Sequence, residues 1–314
     1  MTIQTHSLKL MGTKIDLQID SDDPNFLIQK CVQQLHMYDQ RFSANDEHSE
    51  LMLVNHKAGL QPVKVHPQLY DLITLGKKHS LEKPSYLNIA IGPLVKNWHI
   101  GFQDAHLPSS ESIQRSLKLT NPEWIVLNDL EHSVFLKEQG MQIDLGAIAK
   151  GYIADQIMDY LISQSVTSAM INLGGNVLVH GPNRQRPDQK WYIGIQNPTK
   201  KRGENVGILK ITDQSVVTSG IYERNFHYKG KTYHHIFDPK TGYPVETDMA
   251  SLTVVSKRSV DCEIWTTRLF GLPIAEVLRI LNENPMIEGI IVTKDNHILI
   301  SESLKKHYNT LYSS

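Results

Sequence analysis

Three short segments of this chain carry residue types able to do polar chemistry. The first is Asp144-Leu-Gly-Ala-Ile-Ala-Lys150-Gly-Tyr152. Its carboxylate precedes small residues at the mouth of a helix predicted over residues 148–161, with Lys150 on the second turn. Small residues let backbone approach a ligand, and a helix start favours negative charge. Lys150 adds a point charge suited to phosphate. The same pattern equally fits an N-capping Asp144 followed by a solvated lysine.

The second segment is Glu263-Ile-Trp-Thr-Thr-Arg-Leu-Phe270. On a helix, positions i, i+3 and i+4 share a face, so Glu263, Thr266 and Thr267 converge. Carboxylate and hydroxyl oxygens are hard ligands of the kind magnesium takes. An ordinary amphipathic helix carries such triples too. The third segment is His234-His235-Ile-Phe-Asp238-Pro-Lys-Thr-Gly242, where Pro239 and Gly242 mark a turn. His235 and Asp238 suit proton transfer near neutral pH, or simply hold the turn by hydrogen bonds. Thr218-Ser-Gly220 and Asn172-Leu-Gly-Gly-Asn176 are small-residue turns at strand ends that could approach a nucleotide.

These segments need a frame. Residues 3–19 alternate as a strand or hairpin, and 26–38 and 67–79 have helical apolar spacing. A polar loop spans 43–49, and 124–128 with 133–137 read as a hairpin. Strands are predicted at 168–172, 192–196, 207–212, 251–255, 289–293 and 297–300, and helices at 263–270 and 274–282. Strands and helices mix without regular β-α-β alternation, which places the chain in the α+β class. No internal repeat or linker divides it, so residues 1–314 are read as one composite domain.

Bulk properties exclude several classes. A net charge of -1 over 314 residues gives no field to draw nucleic acid or an anionic membrane. No apolar run reaches the roughly 18 residues of a membrane span. Cys31 and Cys262 show no metal-ligand spacing and fit a reduced compartment; with no secretory pattern in residues 1–20, a cytoplasmic protein is expected. P-loop, dinucleotide-fingerprint, zinc-protease and serine-esterase motifs are all missing.

Taken in order, the segments resemble the FAD:protein FMN transferase family, the ApbE family. The match runs from Met11-Gly12-Thr13 to Thr267-Arg-Leu-Phe270. It includes Phe42-Ser43, Ser49-Glu50-Leu51 with Asn55, and Gly92-Pro-Leu-Val95 with Trp98. The Asp144 and Asn172 segments, Thr218-Ser-Gly-Ile-Tyr222 and His235-Ile-Phe-Asp-Pro-Lys-Thr-Gly242 follow. The resemblance implies a T-fold-like α+β domain with a nucleotide-binding cleft, FAD as donor and Mg2+ as cofactor. FAD would be contacted by Met11, Asn45, Tyr86, Leu87, Asn88, Asp144, Lys150, Thr218 and Ile236. The metal would be held by the backbone carbonyl of Ala147 with Glu263, Thr266 and Thr267. A threonine hydroxyl of an acceptor flavoprotein, carried in a short motif, would attack the FMN-side phosphorus and AMP would leave. His235 or Asp144 would take the hydroxyl proton.

The chain also departs from the family pattern. Glu263 stands where Asp is usual, Asn88 replaces Asp, Ala90 replaces Thr, and Asn45 replaces Tyr. Two other readings use the same cleft. One is a magnesium-dependent FAD pyrophosphatase with water as acceptor, and the other is a flavin-binding module without chemistry.

Overall fold

The computed structural model describes residues 2–311. At its centre is an eight-stranded sheet, antiparallel at every pairing. Its spatial order is Thr2–Leu10, Thr13–Ser21, Ser168–Leu173, Asn176–His180, Ser215–Gly220, Met249–Ser256, Glu288–Thr293 and Ile298–Ile300. The α+β expectation is met. The expected domain limits at residues 1 and 314 lie outside the described residues.

Period-two alternation decides what each face of the sheet covers. Ile15, Leu17, Ile19, Ala169, Ile171 and Leu178 point to one face, against Leu35 of the Pro24–Phe42 helix and Ile153 and Ile157 of the Ala149–Ser163 helix. Val217, Leu252 and Val254 continue that face beneath Cys262 and Leu269 of the Ser259–Leu269 helix. Their neighbours Val177, Val179, Val216 and Val255 point the other way. There they meet Trp191, Ile195, Leu209 and Ile211 of a three-stranded sheet built from Trp191–Gln196, Asn205–Ile211 and Tyr308–Thr310.

A smaller apolar cluster holds the histidine-bearing turn. The Trp98 ring, fully buried at the end of the Gly92–Trp98 helix, lies 5.5 Å from Tyr233 and 5.8 Å from Phe237. Its indole N–H donates to the Gly242 carbonyl at 2.9 Å. The turn after the Asn225–Tyr228 and Lys231–His234 hairpin is therefore fixed from both ends.

Several elements differ from the sequence expectation. The 26–38 helix runs Pro24–Phe42, started by Pro24 at its first turn and by Asp23, whose carboxylate accepts from the Phe26 N–H at 3.2 Å. The 67–79 helix extends to Leu81. The 3–19 segment is a hairpin whose Met11–Gly12 turn has φ of 53° and 66°. The 263–270 helix starts four residues earlier, at Ser259. The Glu50–His56, Gly92–Trp98 and Ser110–Leu117 helices were not predicted. They are too short for apolar periodicity to register.

Candidate active site

The site is assembled where the Ala149–Ser163 and Ser259–Leu269 helices meet at their N-terminal ends. Gly151 makes the approach possible: a Cβ there would sit 2.6 Å from the Ser259 carbonyl oxygen and 2.7 Å from Val260 Cα. Across this contact the helices cap one another. The Gly151 N–H donates to Glu263 Oε2 at 2.7 Å. Asp155 returns the favour, accepting from the Ser259 N–H at 2.7 Å and the Val260 N–H at 3.0 Å. Each carboxylate satisfies backbone donors that a helix start leaves open, at the positive end of its dipole.

This geometry corrects the reading of the first segment. The Ala149–Ser163 helix has Ile148 at its N-cap, without a side-chain bond, so Asp144 is not the cap. Backbone bonds from Ile148 and Ala149 to the Leu145 carbonyl close the preceding turn. Asp144 instead folds back on that turn, its Oδ1 accepting from the Gly146 N–H at 2.7 Å. Because the helix begins at Ala149, Lys150 lies on its first turn, not its second. The lysine is not merely solvated either: Nζ is 3.9 Å from Glu263 Oε1.

Glu263 is 4% exposed, and burial pushes its carboxyl above the usual range, against the opposing effects of Lys150, the Gly151 N–H and Asn176. A buried carboxylate whose nearest cation is 3.9 Å away is under-compensated. Thr266, fully buried, donates its hydroxyl proton to the Glu263 carbonyl at 3.0 Å and keeps its oxygen lone pairs. Thr267 is half-buried one position on, and Ala147 is exposed in the turn before Lys150. Carboxylate, hydroxyl and carbonyl oxygens are the donor types a hard divalent cation such as magnesium takes.

His235 is held by the loop that precedes the Asn225–Tyr228 strand. Its backbone N–H and its Nδ1 both meet the Arg224 carbonyl at 3.2 Å. Donation from Nδ1 to a carbonyl leaves the Nε2 lone pair free. Burial, with Arg224, His234 and Lys150 nearby, holds the ring down to about 4, so it is neutral at pH 7. Burial raises Asp144, opposed by the Gly146 N–H and by Arg224. The shared electrostatic partners bring Lys150, His235, Arg224 and Asp144 into one neighbourhood, with Glu263 joined through Lys150.

The remaining expected contacts line the approaches or support them. Tyr86 helps form a cleft of about 420 Å³ between residues 83–86 and 238–240, with Leu272 at its side. The Tyr86 N–H donates to the Arg268 carbonyl at 3.0 Å, tying this wall to the Ser259–Leu269 helix. Leu87 is buried. Asn88 is committed internally: Oδ1 accepts from the Ala90 N–H at 2.9 Å, and Nδ2 donates to the Thr120 carbonyl at 2.8 Å. An aspartate could not make the second bond, which gives the Asn88 departure a structural reason. Met11 sits in the hairpin turn, half-buried against the main core, and Ile236 packs on the core beneath the Ser259–Leu269 helix. Thr218 is paired with Thr253, hydroxyl to hydroxyl at 2.8 Å. Asn45 stays exposed, its N–H bonded to Ser43 Oγ at 3.2 Å, and among the described residues no bond joins it to the rest of the group.

Sequence reasoning passed over Gly151 as a helix contact, Asp155, Asn176 and Arg224. Asn176 accepts from Ser259 Oγ at 2.5 Å, and its buried amide lies beside Glu263 at longer range than a formed bond. It stands inside a segment singled out for its glycines. Arg224 lies beyond the Thr218 segment, where no spacing marked it.

Comparison with known proteins gives a consistent picture. The ApbE family profile matches residues 11–291. An FAD:protein FMN transferase of Klebsiella pneumoniae (strain 342) is 42% identical over 311 residues, 99% of this chain and 96% of that protein. One from Treponema pallidum (strain Nichols) is 32% identical over 310 residues, covering 94% and 86%. Among solved structures, the ApbE protein of Thermotoga maritima superposes with a TM-score of 0.89 at 25% identity, covering 98% and 99%. The flavin transferase ApbE of Vibrio cholerae has the same fold, with a TM-score of 0.82 at 24% identity over 98% and 100%.

Proposed function

The chain belongs to the ApbE family, and from that premise we propose that it transfers the FMN half of FAD to a threonine of an acceptor flavoprotein, with magnesium bound. The observation that carries this reading is the under-compensated Glu263 carboxylate beside Lys150, set near a neutral His235. A cation and a base close together suit phosphoryl transfer, where positioning and charge stabilisation supply most of the rate.

In this reading the threonine oxygen forms a bond to the FMN-side phosphorus. The bond from that phosphorus to the bridging oxygen breaks, and AMP leaves with the electron pair. His235 takes the hydroxyl proton at Nε2, since Nδ1 is held by the Arg224 carbonyl. Lys150 faces the phosphate oxygens from the first turn of its helix. Glu263, Thr266, Thr267 and the Ala147 carbonyl would hold magnesium, whose positive charge would stabilise those oxygens. The Gly151 N–H keeps the Glu263 carboxylate oriented. Tyr86, Leu87, Asn88, Met11 and Ile236 shape the FAD side, and the whole chain acts as one domain.

No helix among the described residues is long and apolar enough to cross a membrane. A cytoplasmic setting is part of the proposal, supported by Cys31 and Cys262, both free and buried. The test is flavin fluorescence on the acceptor after denaturing electrophoresis. Label on an acceptor with its threonine, and none after threonine-to-valine replacement, is the expected result. Free FMN without labelled acceptor would identify a pyrophosphatase. Bound FAD with no product would identify a binding module.

A further inference from the structure

Arg224 has a side chain that the fold does not use. It sits in the loop between the Ser215–Gly220 strand and the hairpin beginning at Asn225. Its carbonyl anchors His235 through two bonds of 3.2 Å. Its stem runs over Gly101, where an added Cβ would lie 3.1 Å from Arg224 Cδ. Gly101 has φ +100°, so a side chain there is disfavoured on both counts. The guanidinium ends beside the hairpin turn, with Nη2 3.9 Å from the Cβ position of Gly12, next to Met11. One residue thus spans from the base to the turn expected to touch the flavin.

The guanidinium itself is exposed and makes no hydrogen bond or ion pair with any described residue. It is felt by Asp144 and by His235, and both effects are those of a nearby cation. An unpaired planar fork of donors, held over a glycine and facing a candidate base, is matched to phosphate oxygens rather than to structure.

We propose that Arg224 grips the pyrophosphate of FAD and meets the negative charge that develops there during transfer. This inference rests on the FAD-processing reading. Lys150 reaches the same anion from the helix start as a point charge, while Arg224 adds a second cation of fixed geometry from the flavin side.

The test compares ligands with and without phosphate. Dissociation constants for FAD and for riboflavin are measured on wild-type, Arg224→Lys and Arg224→Ala proteins by fluorescence quenching. ADP against adenosine, by calorimetry, gives the same contrast without the flavin. Arg224→Ala should weaken FAD and ADP by about ten- to a hundredfold and riboflavin and adenosine by less than about twofold. Arg224→Lys should fall between, because charge remains and the fork is lost. Equal weakening of all four ligands, or no weakening of FAD, overturns the proposal. Wild-type protein that fails to bind FAD would instead sink the parent reading, and is seen before any variant is made.

A second readout separates electrostatics from shape. His235 is faced by Arg224, His234 and Lys150. Removing the Arg224 cation should move the acidic limb of the turnover profile upward, while Arg224→Lys leaves it nearly in place. An unmoved limb in Arg224→Ala contradicts the placement of the guanidinium.

Discussion

Replacing Gly151 with alanine sets helix propensity against active-site geometry. Gly151 lies in the first turn of a 15-residue helix, and alanine there should favour the helix by up to about 1 kcal/mol. The new Cβ, however, would lie 2.6 Å from the Ser259 carbonyl oxygen and 2.7 Å from Val260 Cα, which are backbone atoms with no rotamer to give way. Overpacking of this kind costs about 1 to 3 kcal/mol. The net loss of stability is therefore about 0 to 3 kcal/mol, within reach of a folded protein. The site has less tolerance. Relief requires the helices to separate, which stretches the 2.7 Å bond from Gly151 to Glu263 and shifts Glu263 relative to Lys150. A displacement of about 1 Å costs on the order of a hundredfold in rate. Urea titration and AMP release from FAD, run on the same preparations, should show a modest stability change beside a large loss of turnover. Gly151→Ala protein with turnover within about threefold of wild type would refute the claim that this backbone contact sets the site.

Other perturbations probe the neighbouring groups. Glu263→Gln should lower magnesium-dependent turnover by at least about a hundredfold while leaving the unfolding midpoint unchanged or higher, since a buried charge is removed; AMP release at the wild-type rate means the metal carboxylate is misassigned. If His235 is the base, turnover should hold level from about pH 7 to about pH 5 and fall only toward its lowered value of about 4. A limb near the ordinary histidine range of about 6.5 argues against a desolvated, neutral ring. Asp155 is raised from 3.8 to about 6 by burial, so the folded state keeps its proton where the unfolded chain has lost it. Its contribution to stability is present below pH 3.8 and lost as pH rises through about 6. Asp155→Asn should remove that dependence, changing the stability difference between the two proteins by about 3 kcal/mol across the window; parallel stability–pH curves would contradict it.

The frame was legible where a local pattern reports it. Alternation at Ile15, Leu17 and Ile19 and apolar spacing along the Pro24–Phe42 and Pro67–Leu81 helices follow from one face being buried. The Glu263, Thr266 and Thr267 face was legible for the same reason, because helix period alone predicts it. What the sequence concealed is contact between distant segments. Gly151 and Ser259 are more than a hundred positions apart, and no local pattern says that their backbones touch. Asp144 looked like a cap because caps are read from order along the chain, yet Glu263 closes that helix from across the site. Arg224 shows the same limit, since its role depends on Gly12 and Gly101 from two other loops.

The central claim is that FAD cleavage and acceptor labelling are one reaction. The direct measurement is AMP released from FAD against FMN covalently attached to a threonine-bearing acceptor, with magnesium present and after its removal by chelation. The account predicts one AMP per flavin attached, none without acceptor, and none without the metal. AMP released in excess of labelled acceptor, or released equally without it, would contradict transfer and leave hydrolysis as the chemistry of this site.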